Sequence, residues 1–464
     1  MKILKAKGRI LIILIYSLII LSFCFSVQAK EEKPVDSEFK VVGYYSGDLF
    51  NEPVEKLQTD KLTHIMYSFV IPKEDGTLHD LKNHKQLKDL VQKAHADNAE
   101  VFISLGGWSY EGKVLEPVFK ELAASDEKRK IFIKNVCAMV EEYDLDGVEL
   151  DWEHPNKSTA DDYEKLVVEM SDVLKLKNKE LSAALNGSWY VDWAAEDTSV
   201  ITKKCLDRFG FINVMAYDMN NEEHSPIWFF ENSISYWINR GLSPEKIVMG
   251  IPLYAKPSWK QYRHLIAENP EYAYSDYAPT IPLSSYYNGM NTIREKTIIA
   301  LNRAGGVMLF DVNEDTNDQY SIVSMIDDIL TRTEGLSKEE LKKYVTIVLN
   351  KKELKFLEEE GFGMPFINTN NNRVMIPLRK SLEAIDAEVT FDNINRVVTV
   401  KKDGVNIKVP ISKNIIDVNG KIIKMDTAAI LKDNRTYIPL RSIFEAFGYN
   451  IEYHSNSKTV MVSN

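Results

Sequence analysis

Between residues 39 and about 332 the chain alternates short runs of β-branched and aromatic residues with longer stretches of helical period. The runs 41–45, 64–70, 101–105, 147–152, 181–185, 211–216, 247–251 and 306–310 have the length and composition of strands buried on both faces. The segments between them, for example 83–96 and 126–143, carry apolar positions at helical spacing and predict helices. Strand–helix alternation repeated over this span predicts an α/β fold, a closed parallel (β/α)8 barrel of the TIM type with helices outside. In that architecture the chemistry sits at the C-terminal ends of the strands.

The fourth run reads Asp146-Gly147-Val148-Glu149-Leu150-Asp151-Trp152-Glu153, so Glu149, Asp151 and Glu153 occupy alternate positions and project to one side. Alternate acids ordinarily mark a solvated face. Here the residues between them are Val148, Leu150 and Trp152, all apolar, so the other face belongs in a core and the acidic face lines a cavity or cleft. Carboxylates stepping along a strand at roughly 7 Å repel one another, which raises the pKa of at least one and favours a neutral acid at physiological pH. A protonated carboxylic acid beside ionised partners is what cleavage of a glycosidic bond requires.

Beyond the barrel the pattern changes. Arg373-Val374-Met375-Ile376-Pro377-Leu378-Arg379 is nearly repeated as Arg435-Thr436-Tyr437-Ile438-Pro439-Leu440-Arg441, an offset of 435 − 373 = 62 residues. Each copy continues into a short helical segment, 380–387 and 442–448, and then into strand-like runs, 388–400 and 449–462. Upstream, 348–351 and 418–421 also correspond. A smaller α+β domain built from a duplicated unit is expected over 344–464, joined to the barrel by a linker at 333–343.

At the other end, Lys2, Lys5, Lys7 and Arg9 precede an apolar run, 10–27, that closes on Val27-Gln28-Ala29 before Lys30-Glu31-Glu32. This pattern predicts a secretory signal peptide over 1–29, cleaved after Ala29, with no membrane contact afterwards. The run approaches the length that spans a bilayer, so a retained anchor is the alternative. Leu21-Ser22-Phe23-Cys24 is similar to a lipoprotein box, but Phe23 is larger than the small residue expected there. Cys137 and Cys205 are then the remaining thiols; two such residues in helix-like segments read as buried core thiols, with no metal-ligand spacing around them. The 464 residues are 44% apolar and 27% charged, with a net charge of −11, which suits two or three globular domains and excludes nucleic acid as a partner. A neutral polysaccharide carries no such penalty.

The octet 146–153 resembles the signature of glycoside hydrolase family 18, the chitinase-like family: Asp-Gly-apolar-Asp-apolar-Asp-aromatic-Glu, with the last Glu as catalytic acid. Glu149 stands where that family usually has Asp. Ser104-Leu105-Gly106-Gly107-Trp108 is similar to the family's third-strand element, Met215-Ala216-Tyr217-Asp218 to the sixth, Gly250-Ile251-Pro252-Leu253-Tyr254 to the seventh, and 305–310 to the eighth. The eighth ends in Phe310 where the family most often has Trp, a smaller stacking face without an indole donor. The stretch from Tyr254 to Gly305 is too short for the extra domain that deepens the groove in some members, so an open cleft is expected.

The resemblance covers residues 39–332 and implies substrates that are β-1,4-linked polymers containing N-acetylglucosamine. It further implies substrate-assisted hydrolysis with retention, in which Glu153 is the acid, Asp151 stabilises the acetamido group, and Tyr217 and Asp218 orient it. Trp108, Met215, Phe310, Tyr44, Phe69 and Tyr254 are the candidate sugar-contacting residues, and Glu149 is a supporting carboxylate. No cofactor or metal is implied. A chitinase-type hydrolase, a peptidoglycan N-acetylglucosaminidase and a non-catalytic glycan-binding surface protein remain as alternatives. Residues 344–464 resemble the domain named after the N-terminal region of copper amine oxidases, found in secreted proteins of Gram-positive bacteria. That resemblance implies a secreted or cell-surface protein, with a stalk or a cell-wall contact as the module's role. Copper is not expected, since His454 is the one histidine past residue 344 and no cysteine accompanies it.

Overall fold

Each of the eight expected strands forms, to within one residue at either end: β1 (Lys40–Tyr45), β2 (His64–Val70), β3 (Glu100–Gly106), β4 (Gly147–Asp151), β5 (Glu180–Asn186), β6 (Ile212–Met215), β7 (Ile247–Pro252) and β8 (Gly306–Phe310). The computed structural model describes residues 39–50, 52–193 and 195–464; the expected signal peptide lies outside the described residues. The strands pair in parallel and in sequence order, and β1 closes the ring against β8.

Local signals set the helices. Helix α1 (His84–Ala96) begins where the Asn83 side chain accepts the Gln86 backbone N–H at 3.1 Å. After β3, α2 (Glu116–Ala124) is followed by α3 (Asp126–Tyr143), which starts on a Ser125 cap with Asp126 and Glu127 in its first turn, where the helix dipole favours acids. It stops at Asp144, whose φ of 56° cannot continue a right-handed helix. The helices α4 (Ala160–Leu176), α5 (Ile227–Asn239), α6 (Met290–Arg303) and α7 (Ile322–Thr333) complete the outer layer.

Two separate apolar clusters follow from strand alternation. Outward-facing Val148 and Leu150, and Trp152 just past β4, join the core between strands and helices, where Trp152 stacks on Phe119 at 5.2 Å and 11°. Inside the ring, Val42, Tyr44, Met66, Phe102, Phe211, Val248 and Met308 form a plug. Tyr217, Met215 and Phe310 pack against that plug. Both described cysteines are free and buried, in keeping with core thiols.

Between β7 and α6 the chain builds a three-stranded sheet of two-residue strands, Lys256–Pro257, Tyr277–Ala278 and Ser285–Tyr286, together with the short helix Tyr262–Glu268. No element of this wall is longer than seven residues.

The C-terminal domain has its own core and is richer in strand than expected, because hairpins follow each of its two short helices. Strand β9 (Arg373–Pro377) lies antiparallel to β10 (Arg435–Pro439), with Ile376 opposite Ile438, Met375 opposite Pro439 and Pro377 opposite Tyr437. Since 438 − 376 = 62, the offset of the sequence repeat, the two copies pair through the same strand about a local twofold at this isoleucine pair. The final strand, Thr459–Ser463, returns beside Thr346–Leu349 and fastens the two ends of the domain.

The segment expected as a linker is structured and tied down. It contains the helical turn Lys338–Leu341, capped by Ser337. Arg294 on α6 meets Glu353 at 2.9 Å, and Arg332 on α7 meets the same carboxylate at 3.0 Å. Glu295 on α6 accepts from Ser457 and binds His454, both at 2.8 Å. Arg294 and Glu353 are 4% and 6% exposed, so breaking the pair leaves charge in a dry environment. Glu353→Ala is expected to cost about 3–5 kcal/mol, read as a lower denaturant midpoint for the whole chain. An unchanged midpoint would show that the contact carries no stability.

Candidate active site

Strand β4 carries Glu149 and Asp151 into the barrel and delivers Glu153 to its rim. Glu149 is fully buried, and a buried carboxylate persists only if donors surround it. Three do: Tyr44 Oη at 2.5 Å and Ser104 Oγ at 2.7 Å reach Oε2, and Asn213 Nδ2 reaches Oε1 at 2.7 Å. They come from β1, β3 and β6, so the closed ring assembles this shell. Tyr44 was expected on the sugar-contacting wall. It is 2% exposed and committed to Glu149, beneath the ladder rather than beside a substrate.

Burial pushes Glu149 up, and its three donors pull it back. Asp151 has no such compensation. Burial, then the charges of Glu153 and Glu149, drive it well above the usual carboxylate range, and its Oδ1 has no hydrogen-bond partner among the described residues. Burial and its neighbours' charges thus press Asp151 toward its neutral form. Glu153 is pushed up to about 7 by burial first and by the charge of Asp218 second. Repulsion along the strand was the expected cause; desolvation exceeds it, and the neighbour that matters for Glu153 comes from the end of β6.

Three glycines permit the close packing at this rim. Gly106 and Gly107 have φ of 118° and 86°, a region that side chains avoid, and Gly107 N–H donates to Asp151 O at 2.9 Å. A Cβ on Gly106 would lie 2.3 Å from that same oxygen, and one on Gly250 would lie 2.7 Å from the Tyr217 ring.

Tyr217 is half-buried and stacks on Phe310 at 6.3 Å and 27°. Its hydroxyl is pushed well above its ordinary range by burial and by the nearby carboxylates. Asp218 accepts from Tyr254 Oη at 2.6 Å and has Lys256 Nζ at 3.5 Å. Lys256 lies 3.5 Å from the centre of the Trp259 ring, which stacks parallel on Tyr254 at 5.6 Å. Tyr254 is thus a buried support of Asp218. Trp108 is 58% exposed at the mouth, while Met215, Phe69 and Phe310 are half-buried behind it. Sequence reasoning did not single out Asn213, Lys256 or His154, nor the exposed Trp189, Trp193 and Trp259. The tryptophans sit in loops without periodicity, so the available signal was residue type alone.

The constellation can donate a proton near neutral pH from Glu153 while offering an unpaired Asp151 oxygen and a tyrosine hydroxyl to a polar substituent.

Residues 40–315 match the family model of glycosyl hydrolases family 18, and residues 348–462 match that of the copper amine oxidase N-terminal domain. A probable chitinase of Drosophila melanogaster is 28% identical over 264 residues, 49% of this chain and 11% of that protein. An endochitinase of Manduca sexta is 26% identical over 262 residues, 48% of this chain and 46% of that protein. The chain thus spans less than half the length of these curated relatives. Among solved structures, a family 18 chitinase from the chitin utilization locus of Flavobacterium johnsoniae superposes with a TM-score of 0.56 at 25% identity, covering 65% of this chain and 97% of that one.

Since Asp218 is the charge that raises Glu153 after burial, Asp218→Asn is expected to lower the Glu153 midpoint from about 7. Carboxyl NMR on protein labelled at glutamate reads that midpoint directly; a midpoint that stays put would remove Asp218 as a cause.

Proposed function

Because the chain belongs to glycosyl hydrolases family 18, we propose that it is a secreted glycosidase cleaving β-1,4 bonds in polymers of N-acetylglucosamine, with chitin or chito-oligosaccharides as substrates. The observation that carries this reading is the pairing of Glu153, pushed up to about 7 at the barrel rim, with a buried, under-bonded Asp151 two residues back. Glu153 donates its proton to the glycosidic oxygen. The substrate's own acetamido oxygen, rather than a second carboxylate, attacks the anomeric carbon and forms a cyclic oxazolinium intermediate. Asp151 Oδ1 then accepts the acetamido N–H and stabilises the developing positive charge, while Tyr217 holds the acetamido oxygen. Water attacks the intermediate with Glu153 as base, and the configuration at the anomeric carbon is retained.

A second reading is supported by the short elements of the wall after β7. An open cleft accommodates a glycan bearing peptide side chains, as peptidoglycan does, and the C-terminal domain would then serve at a cell wall. Digesting an N-acetylglucosamine hexamer and purified peptidoglycan in parallel, with product masses and the anomer released, separates the two.

Glu153→Gln is expected to reduce hydrolysis of the preferred polymer by roughly 10²–10⁴-fold. Equal rates for the variant and the parent would show that Glu153 is not the acid. The acid must be protonated to act, so kcat/KM of the parent is expected to fall as pH rises through about 7.

A further inference from the structure

Immediately after the acid, the chain places a second titratable group whose surroundings the mechanism above does not use. His154 Nε2 lies 3.4 Å from Glu153 Oε2, and Nδ1 lies 4.0 Å from Asp197 Oδ2. Asp197 lies in the helical turn Glu196–Ser199 that follows β5 and is itself held: its Oδ2 accepts from Asn186 Nδ2, and its Oδ1 accepts the Thr198 N–H at 2.8 Å. Asn186 Nδ2 is 3.4 Å from both ring nitrogens, so it steadies the imidazole without choosing between them. The Trp108 ring lies 6.1 Å away on the open side. The His154, Glu153 and Asp197 side chains are 26%, 17% and 17% exposed, which makes the row partly desolvated but reachable from the cleft.

We propose that His154, oriented by Asp197 and Asn186, is a positioning residue for the catalytic acid: its bare Nε2 accepts the Glu153 proton in a hydrogen bond while Nδ1–H faces Asp197. The inference rests on Glu153 being the proton donor of the proposed function.

The tautomer follows from the neighbours. A carboxylate only accepts, so Asp197 draws the ring proton to Nδ1; a protonated Glu153 supplies a donor, which requires a lone pair at Nε2. Burial pushes His154 below its ordinary value and Asp197 raises it, so the ring is neutral where Glu153 titrates. The other charges facing this pair are Asp218 and Asp151 beside Glu153. A 3.4 Å separation without ligand is within the range that tightens when substrate excludes water. Functionally, the acceptor at Nε2 fixes which way the acid's O–H points and favours its protonated form, which is the form that starts the cycle.

The test combines side-chain NMR with pH profiles on the full chain. Ring nitrogen shifts, assigned by comparison with His154→Phe, should show the Nδ1–H tautomer in the parent, and Asp197→Asn should move the proton to Nε2. His154→Phe and Asp197→Asn should each lower the Glu153 carboxyl midpoint, and with it the basic limb of kcat/KM on the N-acetylglucosamine hexamer. The expected shift is about half to one pH unit. His154→Gln, which keeps an acceptor, should recover part of it. An Nε2–H tautomer in the parent, or a Glu153 midpoint unmoved by both His154→Phe and Asp197→Asn, overturns the proposal even if hydrolysis is intact. Conversely, the expected NMR shifts in a protein that cleaves no N-acetylglucosamine polymer uphold the His154–Glu153 pairing and overturn the functional reading instead.

Discussion

A carboxylate buried in a barrel needs donors from more than one strand, and the shell around Glu149 is the constraint on which this active site depends. Tyr44, Ser104 and Asn213 meet it from three different strands, so the acid is held only when the ring is closed and in register. With Glu149 satisfied, the uncompensated burial falls on Asp151, which is pressed toward its neutral form. Glu153 at the rim responds to its own desolvation and to Asp218.

Around this ladder the barrel supplies a second ring of support that works through chemistry rather than shape. Tyr254 and Lys256 fix Asp218 from one side, while Asp197 and Asn186 flank His154 from the other. Glu153 therefore stands between two positioned neighbours, one that raises its midpoint by charge and one at hydrogen-bond reach. Tyr217 rests through Phe310 on the apolar plug inside the ring. The smaller phenyl ring at that position still serves as the platform for Tyr217.

The C-terminal domain is more than an appendage on a tether. Its two copies pair through one strand, and its first and last strands fasten each other. Buried charge pairs then join it to α6 and α7, two helices of the barrel's outer layer. Such pairs contribute geometry more dependably than stability, since desolvation offsets much of their attraction. Their consequence is a fixed placement of the domain on the barrel's helical layer.

The sequence by itself determined the strands and the placing of three carboxylates on one face of the fourth, because alternation and helical period are properties of neighbouring residues. The eight strand spans and the Glu149, Asp151 and Glu153 ladder were legible in this way. So was the 62-residue repeat. What the sequence left undecided were relations across the ring. Tyr44 reads as one more aromatic at a strand end, yet it is the donor to a carboxylate 105 residues away. Tyr254 reads as a sugar-stacking residue and is instead the hydrogen-bond partner of Asp218. Whether Glu153 is raised by its strand neighbours or by burial and Asp218 also depends on distances that exist only after closure. Desolvation and hydrogen bonding are set by which atoms meet in space, and in a closed barrel those atoms come from strands far apart in the chain.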